Sequence, residues 1–348
     1  MIGGSSGNGK NRSPAYTSRS IPVSQRPHSR EPCRADRSSP RTRTYAATTA
    51  ITARANALFS IAIACALGVC PAAARAQTSP TLAAFASVII PGLGQASNGD
   101  YEEAAAHFGI FALSLSAGLY YEHKPDFLSD SARYDDANNR EFINQTPLRR
   151  DFALRLATDT ALYSSFGAYR DARQRDDRAY RTPAPKESLS DLALAPFSWA
   201  FLSRPTTFVP LAIQAWAVSR SGYGIYRAHD VSTGDLHVYN ATANEFTAVG
   251  EEGFFRGFIN NEFSARWGNG WGLGWSSLLF GVAHTGQGQT ANAVQASIAG
   301  AYLGWMQQRN GFEIGEGVAL HYWINVLAGV AAIRHGGSAP LLTLSVPF

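Results

Sequence analysis

Apolar segments alternate with polar segments from residue 77 to the end of the chain. The apolar segments are Leu82–Ala96, His107–Tyr121, Phe152–Tyr169, Leu192–Leu202, Thr207–Val218, Phe254–Phe263, Gly272–Ala283, Ala291–Met306 and Gly317–Ile333. They are rich in Ala, Leu and Gly and lack the strict alternation of a half-buried strand. Most are short for a straight transmembrane helix, yet their number predicts an all-α, polytopic transmembrane helical bundle of about 6–8 membrane helices.

Two polar segments divide this body of the chain. Residues 122–151 and 170–186 are dense in Asp, Arg and Asn, and the second also contains Pro183 and Pro185. We therefore predict an auxiliary membrane-associated helical region with polar loops over residues 77–186, followed by a second domain over residues 187–348.

The beginning of the chain has a different composition. Residues 1–56 are rich in Ser, Arg, Pro and Gly and have no apolar periodicity, which predicts a disordered basic leader. An apolar run from Ala57 to Cys70 then leads into the small-x-small sequence Ala74-Arg75-Ala76. This pattern is typical of a secretory signal peptide, and residues 57–76 are predicted to be either that or a first membrane anchor.

The net charge of +4 is unevenly distributed. Residues 1–76 contain 11 Lys or Arg and two acidic residues, for a charge of +9, whereas the rest of the chain carries −5. The basicity therefore belongs to the leader, and we predict a lipid bilayer as partner and no nucleic acid. All three cysteines also precede residue 77, so a chain cleaved there has no disulfide and no zinc site with sulfur ligands.

The C-terminal residues 341–348 resemble a strand that ends in Phe348 and follow an apparent export signal. This combination leaves an outer-membrane barrel, or a transporter, as an alternative. The barrel is disfavoured because its strands require alternating apolar and polar positions, which the apolar segments here lack.

The first candidate site is the sequence Glu251-Glu252 followed by Arg256. On a helix Glu252 and Arg256 share a face and can form an ion pair, whereas Glu251 is rotated away from it. A helix N-terminus, where the dipole stabilises acidic side chains, is the simplest alternative. Ionisable groups in membrane segments are costly and usually functional, which favours a catalytic interpretation.

Two further pairs with the same four-residue spacing lie in later apolar segments. Phe280 and His284 end one segment, and His321 and Asn325 lie inside another. A histidine at the end of an apolar helix is commonly an interfacial residue. The His321–Asn325 pair is equally consistent with an interhelical hydrogen bond that holds helices together.

Taken in order, Glu-Glu-x-x-x-Arg, Phe-x-x-x-His and His-x-x-x-Asn resemble the CPBP family of intramembrane proteases over about residues 200–335. That family includes the type II CAAX prenyl endopeptidases and the bacterial Abi-type proteins. The resemblance implies a CPBP-like intramembrane protease domain within residues 187–348, acting on a peptide or membrane-protein substrate. For a bacterial chain it implies the inner (cytoplasmic) membrane. A catalytically silent immunity or scaffold protein of the same fold is the alternative.

The resemblance also implies roles for the acidic residues. Glu251 is then the general base that activates water, Glu252 is its partner carboxylate, and Arg256 neutralises and orients the two. Amide hydrolysis requires an activated water and a donor for the tetrahedral oxyanion, and these residues suit that chemistry.

His284 and His321 are implied to hold the water, and Asn325 to donate to the oxyanion. In a metalloprotease version of the family, Glu251, His284 and His321 would bind zinc. Both versions agree with the residue types, so the predicted cofactor is none or zinc.

Overall fold

A computed structural model of the chain describes residues 79–124, 134–135, 140–143, 145–176, 178–220, 226–228, 231–285 and 290–335. The predicted leader over residues 1–56, the predicted signal peptide or anchor over residues 57–76 and the strand-like residues 341–348 lie outside these ranges.

The described chain is predominantly helical, as predicted. In order, the helices are α1 (Pro80–Ile89), α2 (Leu93–Asn98), α3 (Tyr101–Glu122), α4 (Gln145–Arg175), α5 (Leu189–Leu194), a 3₁₀ turn (Ala195–Phe197), α6 (Trp199–Leu202), α7 (Pro205–Arg220), α8 (Thr233–Glu251), a π-helix (Glu252–Asn260), α9 (Asn261–Trp267), α10 (Asn269–Ala283), α11 (Thr290–Arg309) and α12 (Gly315–His335).

Three short strands lie in the polar segments between these helices. They are β1 (Tyr134–Asp135), β2 (Arg140–Ile143) and β3 (Tyr226–Ala228). Strand β2 pairs antiparallel with β1 and parallel with β3. This small sheet was not predicted from the sequence, because its strands are only two to four residues long and carry no apolar alternation.

Two of the described helices are long and apolar enough to cross a bilayer. Tyr101–Glu122 has a mean hydropathy of 1.2 with 11% of its apolar window buried, and Gly315–Ile333 has 1.3 with 72% buried. The first therefore presents an apolar surface outward, and the second forms part of the core. The predicted count of about 6–8 membrane helices is not confirmed. Prolines contribute to this: Pro196 lies in the 3₁₀ turn and Pro205 begins α7, so the apolar residues 189–204 form helices of only three to six residues.

Helix α4 extends into both polar segments, which were expected to lie outside the helices. It runs for 31 residues and includes the ends of both segments, residues 145–151 and 170–175. Several of its buried polar side chains bond to other helices: Asp159 accepts from Thr247 at 2.9 Å, and Arg173 donates to Asn261 at 3.0 Å. Interhelical partners therefore allow polar positions to continue a helix that hydropathy alone would end.

Two apolar clusters form the core around α12. One joins α4, α5, α8 and α12 through residues that include Phe166, Leu192, Val249 and Val318. The other joins the π-helix, α10, α11 and α12 through residues that include Phe255, Phe280, Leu303 and Leu320. Both clusters contain residues of α12 and of the helical segment that carries Glu251 and Glu252, so these two elements are packed together.

Candidate active site

Glu251 and Glu252 lie in the interior of a long helical segment. Helix α8 begins at Thr233, where Ser232 is the N-cap, and helical structure continues without a break through the π-helix and α9 to Trp267. The acidic pair is thus far from any helix N-terminus, and the helix-dipole explanation is wrong for this site.

The π-helix from Glu252 to Asn260 leaves backbone groups outside the usual α-helical pattern, and neighbouring side chains bond to them. Gln307 of α11 donates its amide N–H to the Arg256 carbonyl at 2.9 Å. Asn260 in turn donates to Gln307 Oε1 at 2.6 Å. Helix α11 therefore supports the wide turn directly beside the acidic pair.

The predicted Glu252–Arg256 ion pair is present. Arg256 Nη1 lies 3.0 Å from Glu252 Oε1, and both side chains are completely shielded from solvent. The guanidinium carbon also lies 4.2 Å above the centre of the Phe280 ring. The ion pair and the aromatic face compensate for burying this cation.

His321 connects both glutamates across the bundle. Its Nδ1 lies 2.8 Å from Glu252 Oε1, and its Nε2 lies 3.7 Å from Glu251 Oε2. Because an ionised carboxylate only accepts hydrogen bonds, the first contact assigns the proton to Nδ1. In the neutral ring the lone pair of Nε2 therefore faces Glu251.

Unpartnered polar atoms concentrate at this point of the protein. Among the described residues, eleven buried side-chain nitrogen or oxygen atoms lack a hydrogen-bond partner, and seven of them belong to Glu251, Glu252, Arg256, His321 and Asn325. Asn325 lies one helical turn beyond His321, is 1% exposed, and neither atom of its amide is bonded. Such atoms are rare in folded proteins because each is costly, so a cluster of them indicates a site for a polar ligand.

His284 is connected to the other residues through Phe280. It caps the C-terminus of α10 and bonds the Phe280 carbonyl through Nδ1 at 2.7 Å. Its ring contacts the Phe280 ring at an angle of 46°, with the ring centres 4.5 Å apart. The Phe280 ring lies 6.1 Å from that of His321. The predicted packing role of Phe280 thus agrees with its position against both imidazoles.

The predicted zinc ligands do not form a metal site in this arrangement. Within the described ranges, no group of three His, Cys, Asp or Glu side chains is placed to hold a metal ion. Glu251 and His321 approach each other, whereas His284 is turned toward its own helix by the bond to Phe280.

The two adjacent glutamates differ in their hydrogen-bond and ion-pair partners. Arg256 pairs with Glu252, which also accepts from His321. Glu251 is 18% exposed at its side chain and has one buried, unbonded oxygen. A carboxylate without a cation of its own, facing an imidazole nitrogen, can accept a proton from a water molecule.

Two residue pairs at the site were not predicted from the sequence: Asn260 with Gln307, which hold the π-helix, and Asp159 with Thr247, which bond beside it. Asn260 and Gln307 are separated by 47 residues, and Asp159 and Thr247 by 88. No local spacing relates such partners, so the sequence carried no signal for them.

The segment that contains the site residues matches a known protein family. The family model for type II CAAX prenyl endopeptidase Rce1-like proteins matches residues 238–327, a range that includes all six predicted site residues. No curated protein and no solved structure matches the chain. The resemblance to the CPBP intramembrane proteases is thereby confirmed over residues 238–327, which are similar to the Rce1-like type II CAAX prenyl endopeptidases.

Proposed function

We propose that this chain is an intramembrane endopeptidase that hydrolyses a peptide bond with a water molecule activated by Glu251. One observation carries the proposal: His321 bonds Glu252 at 2.8 Å and turns its second ring nitrogen toward Glu251 at 3.7 Å. The Rce1-like match over residues 238–327 supports a CAAX-type membrane peptidase as the general class.

Glu251 and His321 together bind and activate the water. Their facing atoms are too far apart for a good direct hydrogen bond, and both lack a partner within the described residues. A water molecule that bonds both atoms gives its proton to Glu251 as it attacks the carbonyl carbon. Glu251 then passes this proton to the leaving amine.

Glu252 and Arg256 hold this pair in position. Glu252 fixes the His321 ring through Nδ1, and Arg256 neutralises Glu252, so that the charge left for catalysis is on Glu251. His284 packs against Phe280, whose ring lies edge-on to the His321 ring.

Asn325 stabilises the oxyanion. Its buried amide N–H groups have no partner, and His321 lies four residues earlier on the same helix face. A donor that is already oriented and desolvated stabilises developing negative charge far better than one in water.

The substrate is a peptide or a membrane protein, and the site of action is the bacterial inner membrane. Helix α3 supports a membrane location, since its apolar side chains Ile110 and Leu113 are 46% and 75% exposed. Exposed apolar surface of this extent is typical of contact with lipid or another protein.

A silent immunity or scaffold protein remains the alternative function. In that case the polar residues of the site would serve helix association. The seven unbonded atoms argue against it, because polar groups kept for helix association are expected to bond to one another.

The test is peptide hydrolysis by the purified full-length protein in detergent and in liposomes. A peptide library and prenylated C-terminal peptides serve as substrates, and E251Q and H321A are compared with E313Q and H237A. Glu313 is exposed and His237 is partly exposed on α8, so these changes match the chemistry outside the site. Loss of cleavage only in E251Q and H321A supports the proposal, and equal turnover in all four variants refutes it.

Zinc dependence is measured on the same preparation. The proposal expects less than stoichiometric zinc by elemental analysis and full activity after dialysis against a chelator. One bound zinc per chain, with activity lost on chelation and restored by zinc, would favour the metalloprotease version instead.

A further inference from the structure

Helix α4 crosses the catalytic segment at a strip of glycines. Gly250, Gly253 and Gly257 lie on one face of the helical segment, immediately before and after Glu251 and Glu252. A Cβ atom at Gly250 would lie 2.8 Å from the Asp159 carbonyl oxygen, and one at Gly253 would lie 3.2 Å from Phe166 Cβ. The closest approach is at Gly257, where a Cβ atom would overlap the Phe166 ring.

A buried hydrogen bond accompanies this close crossing. Asp159 is 6% exposed and accepts from the hydroxyl of Thr247 at 2.9 Å. Thr247 lies one helical turn before Glu251, so the bond is made on the turn that leads to the proposed base. Asp159 and Phe166 are seven residues apart on α4, which places them on one face and on either side of the acidic pair.

This crossing affects the proposed reaction because Glu251 and His321 must be positioned accurately relative to each other. In the proposed function one water bonds, from the side, two atoms that lie 3.7 Å apart on helices α8 and α12. A displacement of about 1 Å at such a site lowers the rate by about 100-fold. Gly257 adjoins Arg256, whose guanidinium holds Glu252, so a shift at the crossing moves the acidic pair relative to His321.

We propose that Phe166 and Asp159 are positioning residues, through which α4 fixes Glu251 and Glu252 against His321. This rests on the proposed function. It adds that a helix outside the Rce1-like range of residues 238–327 positions the proposed catalytic residues. Phe166 determines how closely the π-helix approaches α4. Asp159 holds in place the last turn of α8, which carries Glu251.

The first test uses a clash and its relief. In G257A the new methyl group overlaps the Phe166 ring and pushes the π-helix away, so kcat falls by about 100-fold while KM stays within about twofold. In F166A/G257A the ring is gone, and kcat returns to within about tenfold of the wild type. G274A is the matched control, since a Cβ atom at this exposed helical glycine meets nothing within 4 Å.

A second measurement does not depend on turnover. The ring nitrogen chemical shifts of His321 report its bond to Glu252, and they are assigned in ¹⁵N-histidine-labelled protein by comparison with H321Q. We expect the His321 signals to move in G257A, to return in F166A/G257A and to stay unchanged in G274A. Loss of packing elsewhere would not reproduce this order of effects.

The Asp159 contact is tested by conservative and disruptive changes. In D159N the amide oxygen still accepts from Thr247, so kcat remains within about threefold of the wild type. D159A and T247V each lower kcat about tenfold with KM unchanged, and the double variant is no slower than either because both remove one bond.

The outcomes separate the two proposals. A wild-type kcat together with unmoved His321 signals in G257A refutes the positioning role of Phe166, as does an F166A/G257A variant that restores neither. A D159N variant as slow as D159A refutes the hydrogen-bond role of Asp159. If the wild-type protein cleaves nothing, the proposed function fails, and the His321 signals alone decide whether α4 positions the pair.

Discussion

His321 and Glu252 are separated by 69 residues in the chain, yet His321 Nδ1 lies 2.8 Å from Glu252 Oε1 in the buried centre of the bundle. This contact divides the two adjacent glutamates into different roles, because Glu252 is engaged by His321 and Arg256 whereas Glu251 keeps an unbonded oxygen. The two carboxylates are therefore not interchangeable.

Replacing the two glutamates by glutamine should therefore have unequal effects. E251Q removes the base and should lower kcat by a factor of about 10²–10⁴. E252Q keeps an oxygen that accepts from His321, so its kcat should fall less. Initial rates at saturating peptide test this order. If E252Q is slower than E251Q, Glu252 is the base and Glu251 is its partner carboxylate.

The Glu252–Arg256 ion pair should be essential for stability. R256M leaves the Glu252 carboxylate buried without its cation, which should reduce the free energy of unfolding by about 3–5 kcal/mol. R175M is the control, since Arg175 pairs with Asp100 and their side chains are 48% and 26% exposed, so that neither charge is left buried. It should cost about 1 kcal/mol or less. Denaturation in detergent measures both, and equal losses would contradict the importance of burial.

N325A should separate activity from stability. The Asn325 amide makes no hydrogen bond within the described residues, so its removal should change the free energy of unfolding by less than about 1 kcal/mol. Loss of an oxyanion donor should lower kcat by a factor of about 10²–10³. Parallel melting curves and initial rates test this. A destabilised but fully active N325A variant would assign Asn325 to helix packing.

Glu187 should make the stability depend on pH. It accepts from the backbone N–H groups of Ile314 and Gly315 at the start of α12, and burial raises its pKa to about 7 despite these bonds. Because the folded-state pKa exceeds the ordinary 4.5, the contribution is greatest below pH about 4.5 and is lost as the pH rises through about 7. A shift of this size corresponds to at most about 3 kcal/mol.

The measurement for Glu187 is the melting temperature in detergent between pH 5 and pH 8. The wild type should lose stability as the pH rises, and E187Q, which cannot ionise, should show a smaller slope. Identical slopes in the two proteins would rule out Glu187 as the source.

The exposed face of α3 should contact lipid. Leu113 is 75% exposed near the middle of this helix, and L113K should cost about 2.5–3.5 kcal/mol in a bilayer, reducing the fraction that resists carbonate extraction. Y101K at the helix start is the control, since a lysine there reaches the interface. Equal extraction of L113K and wild type would place this face away from lipid.

Local spacing in the sequence was enough to predict part of the site. Glu252 with Arg256 and Phe280 with His284 are four residues apart, and the helix period alone brings each pair together. The helical class and the family resemblance followed from the same patterns. The number of membrane helices could not be predicted in this way. Hydropathy does not show where prolines divide an apolar run or where interhelical bonds extend a helix beyond it.

The sequence by itself thus determined the helical class, the residues on each helix face and the family to which the motifs point. Only the tertiary structure decided that His321 meets Glu252, that a π-helix carries Arg256, and that α4 packs against the glycines beside Glu251. The physical reason is that a helix repeats every 3.6 residues and fixes neighbours within one turn. Contacts between helices depend on how side chains and glycines fit when the helices pack, which no spacing along the chain encodes.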